Sequence, residues 1–441
     1  MREQSQALLI ATTLVVIWRR IMCPARATSS DASGQQQKIA ELAALPGVSS
    51  ATAWFREHEA RIAKWQTEIA GIPAPPFGES ARSQWLAAQF RELDLITSID
   101  ALGNVIGHKP APIPAVISIS AHIDTVFPAG TPLRIRQEGR QLLGAGISDN
   151  AAGVAALLAI AAAVKELGLP HTSSLLFIGN VGEEGEGDLR GMRRIFAASE
   201  WKDSIAASVV IDGAGCDTII AEALGSRRFE ISVTGPGGHS WSDFGVPNPI
   251  MALGHALHLF AQTRISQQPK TTFNVGVISG GTSVNSIPES ASMRVDIRST
   301  SPFEIERLEM ELRRAVEQAA IDETRAATAR NPSRRPTELT TDIRVIGNRP
   351  AGELRPDARI LRTARAVDAY IGNTAQVQRA STDANIPLSL GREAIALGAG
   401  GKGGGAHTLQ EWFDPSGREF GLQRILLVVL ALAGALREAD E

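Results

Sequence analysis

The residues able to do chemistry in this 441-residue chain fall in five short clusters. They read AHIDT with His122 and Asp124, GISDNAAG with Asp149, GNVGEEGEG with Glu183 and Glu184, VVIDG with Asp212, and GGGAHTLQEW with His407. Two imidazoles and several carboxylates, with no thiolate among them, make a donor set for a hard-to-borderline cation. Zinc suits it first, with cobalt or manganese as alternatives. Each cluster also has a plainer reading. Asp149, just ahead of an Ala-rich helix, suits an N-cap. Asp124 suits a turn, and Glu183-Glu184, with Glu186 and Asp188 close by, suits a solvated turn. The functional reading is stronger because two adjacent glutamates after so apolar a segment repel unless a cation neutralises one. Two divalent ions held about 3.5–4 Å apart also need a shared anion, which Asp149 would supply. One glutamate can then ligate while its neighbour takes a proton from metal-activated water. Asp124, two residues from His122, can accept the second ring N–H and fix the tautomer.

The runs AVISIS, SSLLFIGNV, ASVV and REAIALG precede four of the clusters. Each is short, apolar and rich in Val, Ile, Leu or Ala, which predicts strands buried on both faces. In an open α/β sheet, ligands bind beyond the carboxyl ends of such strands. His122 and His407 are thus both expected at strand ends. Residues 39–72 carry helical periodicity broken by PAPPF, and 80–93 form a second helix. Residues 150–167 are apolar all round and read as a buried helix closed by Gly168 and Pro170. From Ser226 the pattern changes. RFEISVT alternates apolar and polar, the mark of a strand with one wet face, and opens a small β-α-β-β-α unit closed near 342–345. The expected architecture is an α/β mixed sheet with helices on both faces, interrupted by an inserted α+β domain. The expected boundaries are 1–37 (apolar segment and linker), 38–225 (first part of the catalytic domain), 226–342 (insert) and 343–441 (remainder).

The insert carries weaker signals. GPGGHSW sets His239 in an exposed loop, GGTSVN sets Asn285 in a polar turn, and Arg298 ends a strand. These groups can donate hydrogen bonds to a substrate carboxylate or a developing oxyanion, although a lone strand-end Arg is more often simply solvated. Competing motifs fail. The glycine-rich run 398–405 has Gly403 where a phosphate-binding loop needs Ser or Thr. No G-x-S-x-G nucleophile elbow and no H-E-x-x-H occurs.

Composition is that of a soluble globular protein. A formal net charge of −3 argues against nucleic acid or an anionic membrane as partner. Two cysteines, Cys23 and Cys216, exclude a disulfide framework, and Cys216 reads as a small buried filler. Residues 7–18 (ALLIATTLVVIW) are short for a membrane span, and Ala25-Arg26-Ala27 resembles a signal-peptidase site. Arg19 and Arg20 between them argue against export, so cytoplasmic and exported or anchored forms stay open. Residues 28–37 (TSSDASGQQQ) read as a linker.

Together the strings AHIDTV, GISDNAAGVAAL, VGEEGEGDLRG, VVIDG, GPGGHSW, GGTSVNSIP, DIRS, STDAN and GGGAHTLQEW resemble the two-zinc peptidase family of carboxypeptidase G, aminoacylase, tripeptidase T, carnosinase and acetylornithine deacetylase. They span residues 121–412 in the family's order. The resemblance implies a phosphorylase/aminopeptidase-like catalytic domain with an inserted lid that dimerises. It implies two zinc ions bridged by Asp149, with His122 and Asp212 completing one site and Glu184 and His407 the other. It implies Glu183 as general base and acid, Asp124 as the group orienting His122, and a cis Asp149–Asn150 peptide. His239 would reach the substrate from a partner subunit's lid, with Asn285 and Arg298 binding the substrate's polar ends. Position 212 is Asp, as in the tripeptidase and carnosinase branch, where the carboxypeptidase and deacetylase branch has Glu. That favours a short peptide or aminoacyl amide over an N-acyl amino acid as substrate. A catalytically silent metal- or peptide-binding protein on the same scaffold would be expected to lack Glu183.

Overall fold

The computed structural model describes residues 29–436, with side chains described from residue 34. The apolar stretch 7–18 and Cys23 lie outside the described residues. No helix among those described is long and apolar enough to cross a membrane.

The central sheet has nine strands. Its path runs Ile96–Ile99, Val105–Lys109, Ser173–Asn180, Ile113–His122, Ile205–Ile211, Glu393–Leu397 and Thr218–Ala223. Gly352–Glu353 and Gln376–Ala380 both pair with Thr218–Ala223. The four strands at the centre are mutually parallel and the first three pairs at one edge are not all so: Ile96–Ile99 and Val105–Lys109 add on antiparallel. Alternate residues of one strand serve opposite layers. Ile117, Ile119 and Ala121 join the core under the helix Ala151–Glu166, whereas Val116 joins the core under the helix Arg190–Ala198. Burial on both faces is why these strands read as unbroken apolar runs.

The helix Ala151–Glu166 is buried along 14 of its residues. Its N-cap is Asn150, whose Oδ1 accepts from Gly153 N at 3.1 Å. A Cβ at Gly153 would lie 2.1 Å from that oxygen, so only glycine fits beneath the cap. Asp149 is therefore released from the capping role its position suggested. The peptide Asp149–Asn150 is cis.

A second sheet holds four antiparallel strands in the order Thr271–Gly280, Ser290–Ser299, Gly225–Thr234, Thr340–Arg349. The helices Pro249–Ala261 and Pro302–Arg330 pack on one face around Phe229, Ile231, Met293, Leu308 and Leu312. The last strand runs on to Arg349, which brings its end back to the central sheet.

The linker reading of 28–37 needs correction. A helix, Ser29–Ala44, begins inside it. The polar start of the helix carries no signal, but Ile39, Leu42 and Ala43 are buried and dock it against the catalytic core, where tertiary packing overrides composition.

Candidate metal centre

Strand ends and the turns after them supply the inner wall of an open cleft of about 440 Å³. His122 closes the strand Ile113–His122, and its ring is buried. Its Nε2 lies 3.1 Å from Asp149 Oδ1 and 3.9 Å from Asp212 Oδ1. His407 approaches the other side of the same carboxylate. Its Nε2 lies 3.2 Å from Asp149 Oδ2 and 3.2 Å from Glu184 Oε1. Asp149 thus gives one oxygen to each imidazole. His407 is not at a strand end as expected. It sits in a turn beyond the short strand Lys402–Gly404, with φ +65° and an exposed side chain.

Two triplets have donor atoms close enough to share an ion: His122, Asp149 and Asp212, and Asp149, Glu184 and His407. A third triplet, His122, Glu183 and Glu184, meets the same criterion. Glu183 is otherwise engaged, because Arg349 Nη1 donates to its Oε1 at 2.7 Å and Arg349 Nη2 donates to its backbone carbonyl. That engagement sets the first two triplets, which share Asp149, apart from the third.

Asp124 lies against His122 and also meets both glutamates. Its carboxylate is 3.7 Å from His122 Nδ1, too far for a hydrogen bond, and the ring nitrogen is 3.2 Å from the Asp124 backbone carbonyl instead. The carboxylate accepts the N–H groups of Glu183 at 3.0 Å and Glu184 at 2.8 Å. Asp124 thereby fixes both glutamates through their backbone.

The charges show what the cluster needs. Burial would lower the His122 imidazole, but Asp124, Asp149 and Asp212 outweigh it and raise its pKa well above the ordinary value. The hydrogen bond to Asp149 pushes His407 up to about 9. Burial would raise Asp149, yet His122 and His407 hold its pKa below the ordinary value. Burial pushes Glu184 up to about 7 and Glu183 well above the carboxylate range, the latter against the pull of Arg349. The carboxylates thus favour a positive charge at both imidazoles. Cations would take over that neutralising role, since an imidazole ligates only when its nitrogen is unprotonated. The donor set of two imidazoles and three carboxylates fits a pair of divalent ions.

Arg298 lines the cleft together with Arg228 and Arg349, the last two bonded to the segment that carries the glutamates, Arg228 at the Gly185 carbonyl and Arg349 at Glu183. Arg228 Nε and Arg298 Nε share the Asp296 carboxylate at 3.3 and 2.6 Å. His239 and Asn285 are not among the cleft's lining residues. His239 is an exposed residue of the two-stranded ribbon Gly238–His239 with Ser286–Ile287, and Asn285 sits in the exposed turn just before Ser286.

Sequence reasoning missed Arg349, Arg228, Glu411 and the pair Asn180–Asp383. Asn180 Nδ2 donates to Asp383 Oδ2 at 2.7 Å, and burial pushes Asp383 up to about 7. Asp383 and Glu411 lie inside the strings STDAN and GGGAHTLQEW, which marked their places without giving them a task. Nothing in the sequence distinguishes Arg349 from the other arginines.

Residues 118–431 match the pattern of the peptidase family M20/M25/M40. Among curated proteins, the chain is 22% identical over 364 residues to the uncharacterized protein YqjE of Bacillus subtilis (strain 168), covering 78% of this chain and 91% of that protein. Among solved structures, the fold resembles the aminopeptidase PepT of Bacillus cereus, with TM-score 0.68, 19% identity and coverage of 85% of this chain and 98% of that one. It also resembles the YXEP protein of Bacillus subtilis, described as a dinuclear metal-binding peptidase, with TM-score 0.63, 16% identity and coverage of 86% and 100%.

Proposed function

The chain belongs to the peptidase family M20/M25/M40, and from that premise we propose that it is a two-metal hydrolase of the amide bond in short peptides or aminoacyl amides. The observation that carries the proposal is the division of Asp149, with Oδ1 toward His122, which Asp212 also approaches, and Oδ2 toward His407, which Glu184 also approaches. His122, Asp149 and Asp212 would hold one ion, and Asp149, Glu184 and His407 the other, with zinc suited to these donors and cobalt or manganese as substitutes. Bound divalent ions supply Lewis acidity, polarising a carbonyl and acidifying water.

Glu183 acts as the base. It takes a proton from the attacking water at a carboxylate oxygen as the new C–O bond forms, and returns it to the leaving amine as the C–N bond breaks, so the enzyme ends with no net proton change. Arg349 anchors Glu183 through Oε1. Asp124 holds the Glu183 and Glu184 backbone so that base and ligand keep their spacing. Arg298, which lines the cleft beside Arg228, orients the substrate through a carboxylate.

His239 donates to the carbonyl oxygen as charge develops on it. Its Nδ1 faces the N–H groups of Trp241 at 3.2 Å and Ser242 at 3.4 Å, which leaves the proton of the neutral ring on Nε2 as an outward donor. Because His239 and Asn285 lie off the cleft of their own chain, they serve a neighbouring subunit in a homodimer. The lid edge strand Thr271–Gly280, with Val277 and Ile278 exposed, is the surface such a pairing would cover.

The test is turnover of the purified protein, reconstituted with zinc, cobalt or manganese, over di- and tripeptides, aminoacyl amides and N-acyl amino acids. Cleavage of free-amine peptides or aminoacyl amides, lost on chelation and regained on adding metal, is expected. Exclusive cleavage of N-acyl amino acids would replace the substrate assignment, and metal-independent cleavage would overturn the mechanism.

A further inference from the structure

Glu411 is fully buried only four residues beyond His407, yet no step above uses it. Its carboxylate lies on the loop that carries Asp149. Oε1 accepts the N–H of Ser148 at 2.7 Å and of Asp149 itself at 2.7 Å, and Oε2 accepts the N–H of Gly146 at 2.8 Å. Its backbone carbonyl takes a fourth bond, from Gly144 N at 2.9 Å. The contact extends a ladder in which Trp412 and Phe413 pair with Leu143 and Leu142. A carboxylate that accepts three backbone N–H groups makes stronger, shorter bonds than a neutral acceptor, and it fixes a loop that has no regular structure of its own. Gly146, at φ +72°, gives the turn that aims these N–H groups at one point. The buried Arg82 supplies positive charge toward both Glu411 and Asp124.

We infer that Glu411 is a positioning residue that ties the loop bearing Asp149 to the loop bearing His407, and so sets the separation of the two metal sites. It touches neither the ions nor the substrate. Its effect reaches them through the direction of the Asp149 carboxylate and the place of His407. This rests on the two-metal reading above.

Glu411→Gln keeps the shape but turns an NH₂ group toward backbone donors, so at least one of the three bonds is lost. Zinc titration of the metal-free protein against a chromophoric chelator should show affinity weakened about 10–100-fold, the usual cost of losing an outer partner of a metal site. Activity should return as zinc or cobalt is raised, and the melting temperature of the metal-free protein should stay near that of wild type. Glu138→Gln, an exposed carboxylate on the adjoining strand Arg136–Glu138, should bind metal as wild type does. If Glu411→Gln does not fold, the same titration is read on Glu411→Asp, whose shorter carboxylate cannot reach all three N–H groups. Wild-type zinc affinity in the folded variant, or a lower melting temperature with unchanged affinity, would overturn the inference. Failure of the wild type itself to bind two ions would instead overturn the two-metal reading.

Discussion

The acidic wall of the cleft and the lid are built in opposite ways. On the inner wall each functional side chain is held by several others. Asp149 meets two imidazoles through its side chain and Glu411 through its backbone, and Glu183 and Glu184 hang from Asp124 by their N–H groups. On the lid, His239 in its short ribbon and Asn285 in the adjoining turn are both exposed, steadied by neighbours within a few residues: Asp243 accepts the His239 N–H at 2.9 Å, and Ser283 donates to Asn285 at 2.5 Å. The contrast separates two tasks. A site that gathers like charges must be fixed against their repulsion before any ligand arrives. A group that meets the substrate from another subunit need only keep its own shape until assembly brings it into reach.

Substitutions sharpen the contrast. The largest expected effect is that of Glu183→Gln, which removes the proton acceptor and should lower turnover about 10²–10⁴-fold while metal content persists. Activity within a few-fold of wild type would show that another group is the base. His239→Ala should cost about 10²–10³-fold, as loss of one oxyanion donor does. Mixed with Glu183→Gln it should regain activity in hybrid dimers, because one site then holds an intact base and an intact partner histidine. No recovery after verified subunit exchange would return His239 to its own chain's site. Asp124→Asn should lower metal affinity or activity about 10–100-fold, since an amide cannot accept both glutamate N–H groups. Arg298→Ala should be the mildest, raising KM about tenfold or less with kcat near wild type. Its side chain is partly exposed and already shares Asp296 with Arg228, so solvent and that partner screen it. A fall in kcat alone would move Arg298 from substrate orientation into the chemistry.

The same division governs what the sequence revealed. The central strands were legible because burial on both faces leaves an unbroken apolar run, and the carboxylates after Asn180 and Ile211 stood out against it. The inserted sheet was legible from its alternation, since the helices Pro249–Ala261 and Pro302–Arg330 cover one face. What escaped was anything set by distant contact. Arg349 is one arginine among many until the strand Thr340–Arg349 delivers it to Glu183, 166 positions away. Glu411 looks like a solvated charge until the ladder with Leu142 and Leu143 buries it. Asp149 was ambiguous between cap and ligand because Asn150, beside it, is an equally good cap, and only the fold shows which one turns inward. The helix Ser29–Ala44 was missed because its first residues are polar and its docking depends on Ile39 and Leu42 reaching the catalytic core.

The central claim is that Asp149 is shared by two ions. Metal-free protein titrated with zinc and then dialysed should retain two equivalents per chain, and Asp149→Asn should lose both together, because each site would be left without the anion that bridges them. Retention of one equivalent or less by the wild type, with no gain in activity on adding more zinc, would contradict the claim.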